Sequence, residues 1–153
     1  MTEEDARQAS AEAWRGLVEF WTKRNLWVQV AGALGISPGH AKALTLLDAD
    51  DPPAMGVLAE GLHCDASFVT NIVDKLEERG FVERRPSATD RRVKTVVLTQ
   101  AGLKARAQFE AALYEPPKEL LDLPDADLRT LARIVAKLQM ASGVTQGRAG
   151  ALH

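Results

Sequence analysis

Basic side chains concentrate in one short stretch of the sequence, between positions 79 and 94. They are Arg79, Arg84, Arg85, Arg91, Arg92 and Lys94, and only Glu83 and Asp90 interrupt them. Guanidinium and ammonium groups bind phosphate oxygens, and neutralisation of phosphates supplies much of the affinity of proteins for nucleic acids. Because the formal net charge of the whole chain is −2, the stretch predicts a local basic surface on a slightly acidic protein.

Short polar side chains precede this basic stretch at helical spacing. The apolar positions that are expected to face the core are Val69, Ile72, Val73 and Leu76. The opposite face then carries Ser67, Thr70, Asn71, Asp74 and Lys75. Side chains of this kind reach base edges or phosphates when a helix lies in the major groove of duplex DNA, whereas a polar face alone is more typical of a solvated helix.

Arg91 and Arg92 are expected at the tip of a hairpin, with Asp90 immediately before them. Arginine is attracted to the negative potential of a narrow minor groove, so these two residues are candidate groove contacts. A neighbouring carboxylate opposes that attraction unless it orients the guanidinium through paired hydrogen bonds, and we assign that role to Asp90. Lys94 and Arg84 complete the predicted DNA contacts, although Arg84 is equally compatible with a solvated strand edge.

Two helices with a tight junction are predicted to position the polar face. Met55, Val57, Leu58 and Leu62 give the first helix its apolar positions, and Phe68 joins those of the second. His63-Cys64-Asp65 forms the turn, Asp65 is suited to cap the second helix, and Gly80 is suited to end it. From Phe81 the hydrophobic period changes to strict alternation, which predicts a hairpin with a polar turn at residues 86–90.

The flanking regions are predicted to be helical. A long helix over residues 5–34 carries two apolar stripes, and the second stripe requires a partner, either a second subunit or a ligand cavity. Further helices are expected from Ser37 to about Leu47, from Gln100 to Tyr114 with Thr99 as its cap, and after Pro124. Residues 142–153 lack periodicity and are expected to form a mobile tail.

Several function classes lack support in the sequence. Cys64 is the only cysteine, which excludes an intrachain disulfide, and a buried filler role is favoured over a redox switch. The three histidines do not have metal-ligand spacing, and no catalytic constellation is visible, so we expect no metal, no cofactor and no enzyme activity. The acidic N-terminus and the lack of a long apolar run predict a cytoplasmic protein.

Three segments together resemble the signature of the MarR (multiple antibiotic resistance regulator) family. They are Leu58-Ala59-Glu60, the run VTNIVDKLEERGFVER at 69–84, and Asp90-Arg91-Arg92 followed by VLTQAG at 97–102. The resemblance implies a mainly α-helical fold with a small β-hairpin wing, in which six helices include a winged helix-turn-helix. Dimerisation helices at 5–34 and 100–141 would then flank a DNA-binding lobe at 37–98.

The resemblance also implies a function. A homodimer would bind palindromic double-stranded operator DNA as a transcription regulator, most often a repressor, with Arg92 in the minor groove. A small aromatic or phenolic effector would release it, and we place that effector where the first, second and fifth predicted helices meet. Trp14, Trp21 and His40 are the candidate lining residues, although tryptophans at helical spacing more often belong to a core or a dimer interface.

A second hypothesis keeps the winged fold but assigns it to protein interaction, without a ligand response. The net charge of −2 and the acidic segment at residues 48–51 motivate it.

Overall fold

The chain forms two compact units in the computed structural model, Met1–Tyr114 and Glu115–His153, and the structure describes residues 1–143. The first unit contains α1 (Glu3–Arg24), α2 (Leu26–Ala33), α3 (Pro38–Leu46), α4 (Met55–Leu62), α5 (Ala66–Glu78), β1 (Val82–Pro86), β2 (Lys94–Leu98) and α6 (Gln100–Leu113). The described part of the second unit contains α7 (Lys118–Leu121) and α8 (Asp125–Ser142). The predicted mainly α-helical fold with one hairpin is confirmed.

Helix boundaries fall at the residues whose chemistry predicted them. Ser37, Asp65 and Thr99 each accept a backbone N–H bond from the first turn of the helix that follows. Gly35 and Gly80 adopt positive φ after α2 and α5, which a residue without Cβ does at low cost. The predicted tail at 142–153 falls mostly outside the described residues; α8 ends at Ser142, and Gly143 caps it in a left-handed conformation.

The hairpin, residues 82–98, is the wing of the fold. Its strands pair antiparallel, with Val82 opposite Leu98 and Arg84 opposite Val96. The other edge of β2 is bridged by the chain that precedes α4, since Ala54 pairs with Thr95 and the Val96 N–H donates to the Pro53 carbonyl at 2.9 Å. Strand β2 is therefore hydrogen-bonded on both sides, to β1 and to the segment before α4, and this second contact links the wing to the start of α4.

One hydrophobic cluster holds α3, α4, α5 and the wing together. Its buried members are Ala43, Leu44, Leu47, Leu58, Ala59, Val69, Ile72, Val73, Leu76, Val82, Val96 and Leu98. The four predicted core positions of α5 are therefore confirmed. Phe68 and Val57 were also expected on apolar faces, but both are exposed, because each lies at the margin of its helical stripe rather than at its centre.

The predicted single helix over residues 5–34 is wrong, because the chain breaks at Asn25. Asn25 has φ 45° and ψ 38°, a left-handed conformation that asparagine tolerates better than most residues, and it ends α1 and begins α2. This break and the short helix α7 raise the number of helices in residues 1–143 to eight, where six were expected. No helix of residues 1–143 has the length and apolar character that a bilayer crossing requires.

The break at Asn25 gives the second apolar stripe a partner within the chain. Trp27 packs against Phe109 of α6, with ring centroids 5.0 Å apart. Ala31, Ala41 and Phe109 belong to a second buried cluster, against which Trp27 and Val30 pack. Trp27 and Val30 therefore have packing partners within the chain, in contrast to the exposed stripe of α1 that carries Trp14 and Trp21.

Candidate nucleic-acid interface

Helix α5 presents the polar face that the sequence predicts. Ser67, Thr70, Asn71 and Lys75 are all exposed. The Thr70 hydroxyl donates to the Ala66 carbonyl at 2.8 Å, which leaves its oxygen free to accept a further hydrogen bond. Lys75 forms an ion pair with Glu78 at 2.7 Å, so part of its charge is already neutralised within the helix.

Asp65 organises the first turn of this helix. Its Oδ1 accepts the Phe68 N–H and the Ser67 hydroxyl, each at 2.8 Å. The backbone hydrogen bond from Phe68 and the hydroxyl bond from Ser67 lower the pKa of the Asp65 carboxyl, because both stabilise its charged form. Sequence patterns identified Asp65 only as a cap, but its bond to Ser67 also fixes a side chain of the exposed face.

Arg84, a candidate DNA contact in the sequence, pairs with two carboxylates of α5 in the structure. Its guanidinium forms ion pairs with Asp74, at 2.6 Å, and with Glu77, and the side chain is only 22% exposed. Glu77 also accepts the Arg84 backbone N–H at 2.9 Å, and the guanidinium reaches the Thr70 carbonyl at 3.3 Å. Arg84 therefore joins the first strand of the wing to the outer side of α5.

The wing tip carries Arg91 and Arg92 in the turn between the two strands, as predicted. Both arginines and Lys94 are exposed, and within residues 1–143 no carboxylate lies at ion-pair distance from any of them. Asp90 differs from its expected role, because its Oδ1 accepts the backbone N–H of Arg92 at 2.9 Å. Asp90 thus orders the backbone of the turn rather than an arginine guanidinium.

The wing and α5 are also joined through the start of α6. The Thr99 hydroxyl donates to the Gly80 carbonyl at 2.6 Å and accepts the Gly102 N–H at 3.0 Å. A Cβ on Gly102 would overlap the Phe81 carbonyl group, whose carbon would lie 2.8 Å away. The run VLTQAG therefore contains Thr99 and Gly102, whose contacts with Gly80 and Phe81 hold the start of α6 next to the end of α5.

The three residues predicted to line an effector site lie on α1 and α3. Trp14 and Trp21 are 68% and 52% exposed on α1. His40 is partly buried on α3, and this burial lowers its pKa, as do the positive charges of Lys75 and Arg79. An open groove on α1, lined by Gln8, Ala11, Glu12, Arg15, Gly16 and Glu19, contains none of the three.

The described residues offer no group of three or more His, Cys, Asp or Glu side chains that could hold a metal ion. The candidate interface consists of the polar face of α5 and two exposed arginines on the hairpin, which Arg84 connects to that helix. This arrangement defines a winged helix-turn-helix protein.

Comparison with known proteins identifies the family. Residues 36–94, which include α3, α4, α5 and most of the wing, match the sequence model of the MarR family. A proposed transcriptional regulatory protein for the hcr operon of Thauera aromatica is 30% identical over 105 residues, which are 68% of this chain and 63% of that protein. The chain therefore spans less than two thirds of that relative. It contains a MarR family domain, and the resemblance seen in the sequence is confirmed.

Solved structures show the same fold. A multiple antibiotic-resistance repressor (MarR) from Listeria monocytogenes has a TM-score of 0.74 at 16% identity, over 94% of this chain and 98% of that chain. YusO from Bacillus subtilis has a TM-score of 0.69 at 21% identity, over 92% and 99%. A Staphylococcus aureus MepR mutant bound to an oligodeoxyribonucleotide has a TM-score of 0.67 at 21% identity, over 89% and 98%. The chain thus has the fold of MarR family transcription regulators.

Proposed function

We propose that this protein is a sequence-specific DNA-binding transcription regulator that acts as a homodimer on palindromic operators in the cytoplasm. The observation that carries the proposal is the connection, through the ion pairs of Arg84, between α5 and the wing with Arg91 and Arg92. A helix in the major groove and a hairpin at the adjacent minor groove must keep a fixed spacing, and this connection provides it. The MepR structure with bound oligodeoxyribonucleotide supports the same use of the fold.

A second copy is proposed because two helices leave apolar faces uncovered. No residue of α1 or α8 is buried, although both helices carry large apolar side chains. On α1 the exposed side chains include Trp14, Leu17 and Trp21, and on α8 they include Ile134 and Leu138. Exposed stripes of this length are typical of protein interfaces, and a symmetric pair would present two recognition helices to the two halves of a palindrome.

Repression and release by a small aromatic effector complete the proposal. An effector changes DNA affinity only if it binds the DNA-competent and DNA-incompetent arrangements with different affinity. Trp14, Trp21 and His40 remain the proposed lining residues, and the exposure of both tryptophans means that their site would need additional walls, which a second copy is able to supply.

The test of DNA binding is the salt dependence of affinity for duplex DNA from the promoter region of the protein's own gene. Wild-type affinity is expected to fall steeply as salt concentration rises. The reason is that protein binding releases cations condensed on the DNA phosphates, and this release is less favourable at high salt. Arg92→Ala should weaken binding and reduce the slope of log affinity against log salt concentration by about one for each copy. Arg15→Ala, which removes an exposed arginine from the grooved side of α1, away from Trp21, is the matched control and should leave the slope unchanged.

Salt-insensitive binding, or equal slopes for wild type and Arg92→Ala, would contradict the proposal. A stable complex with another protein that survives replacement of Arg91 and Arg92 would instead favour the protein-interaction module.

A further inference from the structure

A large aromatic side chain stands exposed in the first turn of α5. Phe68 is 56% exposed, whereas the other large apolar residues of this helix, Val69, Ile72, Val73 and Leu76, are all buried. The position is unexpected, because a phenylalanine next to a packed core usually contributes to it. The exposed ring is therefore available to a partner molecule.

Phe68 shares the outer surface of α5 with the polar side chains of the interface. In a helix, residues three positions apart are neighbours on the surface, so the ring lies beside Asn71, and Lys75 follows on the same side. Ser67 is adjacent in sequence, and these three polar residues are all exposed. A ligand that contacts Asn71 from outside the helix therefore also meets Phe68.

The turn that carries the ring is ordered. Asp65 Oδ1 accepts the Phe68 N–H at 2.8 Å and the Ser67 hydroxyl at the same distance. Phenylalanine has only two side-chain torsions, so little conformational entropy is lost when its ring makes a contact. Phe68 is thus presented from a fixed backbone position, as a residue that discriminates between ligands must be.

Base pairs present one exposed apolar group in the major groove, the 5-methyl of thymine, and phenylalanine is among the side chains that contact it. We propose that Phe68 reads a thymine 5-methyl group in each half of the operator, and so sets sequence specificity. This inference rests on the proposed function. It adds a hydrophobic contact to the hydrogen bonds expected from Asn71 and Thr70.

The exposed cations of the wing favour DNA over an apolar protein partner, although Asp65 lies next to the ring and Lys75 is paired with Glu78. Lys75 lies on the same helix, and Arg91, Arg92 and Lys94 are exposed on the wing of the same unit. Arg84 connects that wing to α5. A partner that covered Phe68 would also approach these cations. Their positive charge would attract a polyanion such as DNA.

The experiment removes the methyl group without changing base pairing. The probe is the tightest-binding duplex that wild-type protein selects from a random-sequence pool, with each thymine replaced in turn by deoxyuridine. At one position in each half-site, wild-type affinity should fall about fourfold, the factor expected from loss of one buried methyl-sized group. Phe68→Ala should bind the thymine and deoxyuridine duplexes equally at that position.

Val57→Ala is the matched control, because it shortens another exposed apolar side chain, on α4, and should keep the full sensitivity of the wild type. Circular dichroism establishes that each variant is folded. Wild-type affinity that is unchanged at every deoxyuridine position, or an equal loss in Phe68→Ala, overturns the inference but leaves DNA binding intact. Failure of the wild type to select any duplex overturns the proposed function as well.

Discussion

Gly102 allows α6 to approach the Phe81 backbone closely because it has no side chain. Its N–H donates to the Thr99 hydroxyl, and its α-carbon lies against the Phe81 carbonyl group. A methyl group there would overlap backbone rather than a flexible side chain, so neither partner could relax without moving α6.

We therefore expect Gly102→Ala to lower the free energy of unfolding by about 3 kcal/mol, at the upper end of the cost of overpacking. The measurement is urea denaturation followed by circular dichroism. Gly56→Ala is the control, since nothing lies within 4 Å of the Cβ it would add to α4, and its effect should be neutral or stabilising by up to about 1 kcal/mol. Equal stability of the two variants would show that α6 does not depend on this close contact.

Residue roles were harder to predict from the sequence than residue positions. Asp90 was expected to bind an arginine side chain, but it binds the Arg92 backbone. Arg84 was interpreted as either a DNA contact or a solvated strand edge, and its ion pairs with Asp74 and Glu77 were not anticipated. Local sequence shows that charges are near one another, whereas the choice of partner depends on strand register and on which side of α5 the wing lies.

Element boundaries were well predicted where local chemistry determines them. Ser37, Asp65 and Thr99 cap helices because their side chains satisfy backbone N–H groups within three residues. The break at Asn25 was missed because the apolar pattern continues through it, although asparagine is one of the few residues that enter the left-handed region readily. After the break, Trp27 packs on Phe109 of α6, a contact that local sequence does not reveal.

The connection between α5 and the wing is expected to contribute to stability. Arg84→Met removes the guanidinium, keeps the aliphatic stem, and leaves Asp74 and Glu77 without their partner. Because the pairs are only partly buried, we expect the free energy of unfolding to fall by about 1–2 kcal/mol. Chemical denaturation measures this change.

Arg85→Met provides the comparison for that variant. The Arg85 guanidinium is exposed and pairs with Glu83 of its own strand, so its loss should cost no more than about 0.5 kcal/mol. If Arg84→Met instead left stability unchanged and reduced the salt dependence of DNA binding, Arg84 would be a phosphate contact after all.

At the level of the whole molecule, the proposed dimer depends on the uncovered apolar faces of α1 and α8. Glutamate at Trp21 or at Leu138 would place a charge on an apolar stripe that is exposed in the single chain. We expect either variant to raise the dimer dissociation constant by about two orders of magnitude, because an unpaired charge would be desolvated at the interface. Sedimentation equilibrium measures the dimer fraction.

Gln8→Glu adds the same charge at an exposed polar position of α1 and should leave the dimer intact. Dimers of unchanged affinity in both Trp21→Glu and Leu138→Glu would place the subunit contact elsewhere. Far-ultraviolet circular dichroism of each variant tests whether any loss of dimer reflects loss of helix instead.

The bridge between Ala54 and Thr95 has a consequence for behaviour at high concentration. With β2 paired on both sides, the hairpin has one open edge, along β1. Along that edge the Arg84 N–H is already bonded to Glu77, and Pro86 has no N–H to donate. Strand-to-strand aggregation through the wing is therefore disfavoured, so the element that must stay exposed is also poorly suited to amyloid-like growth.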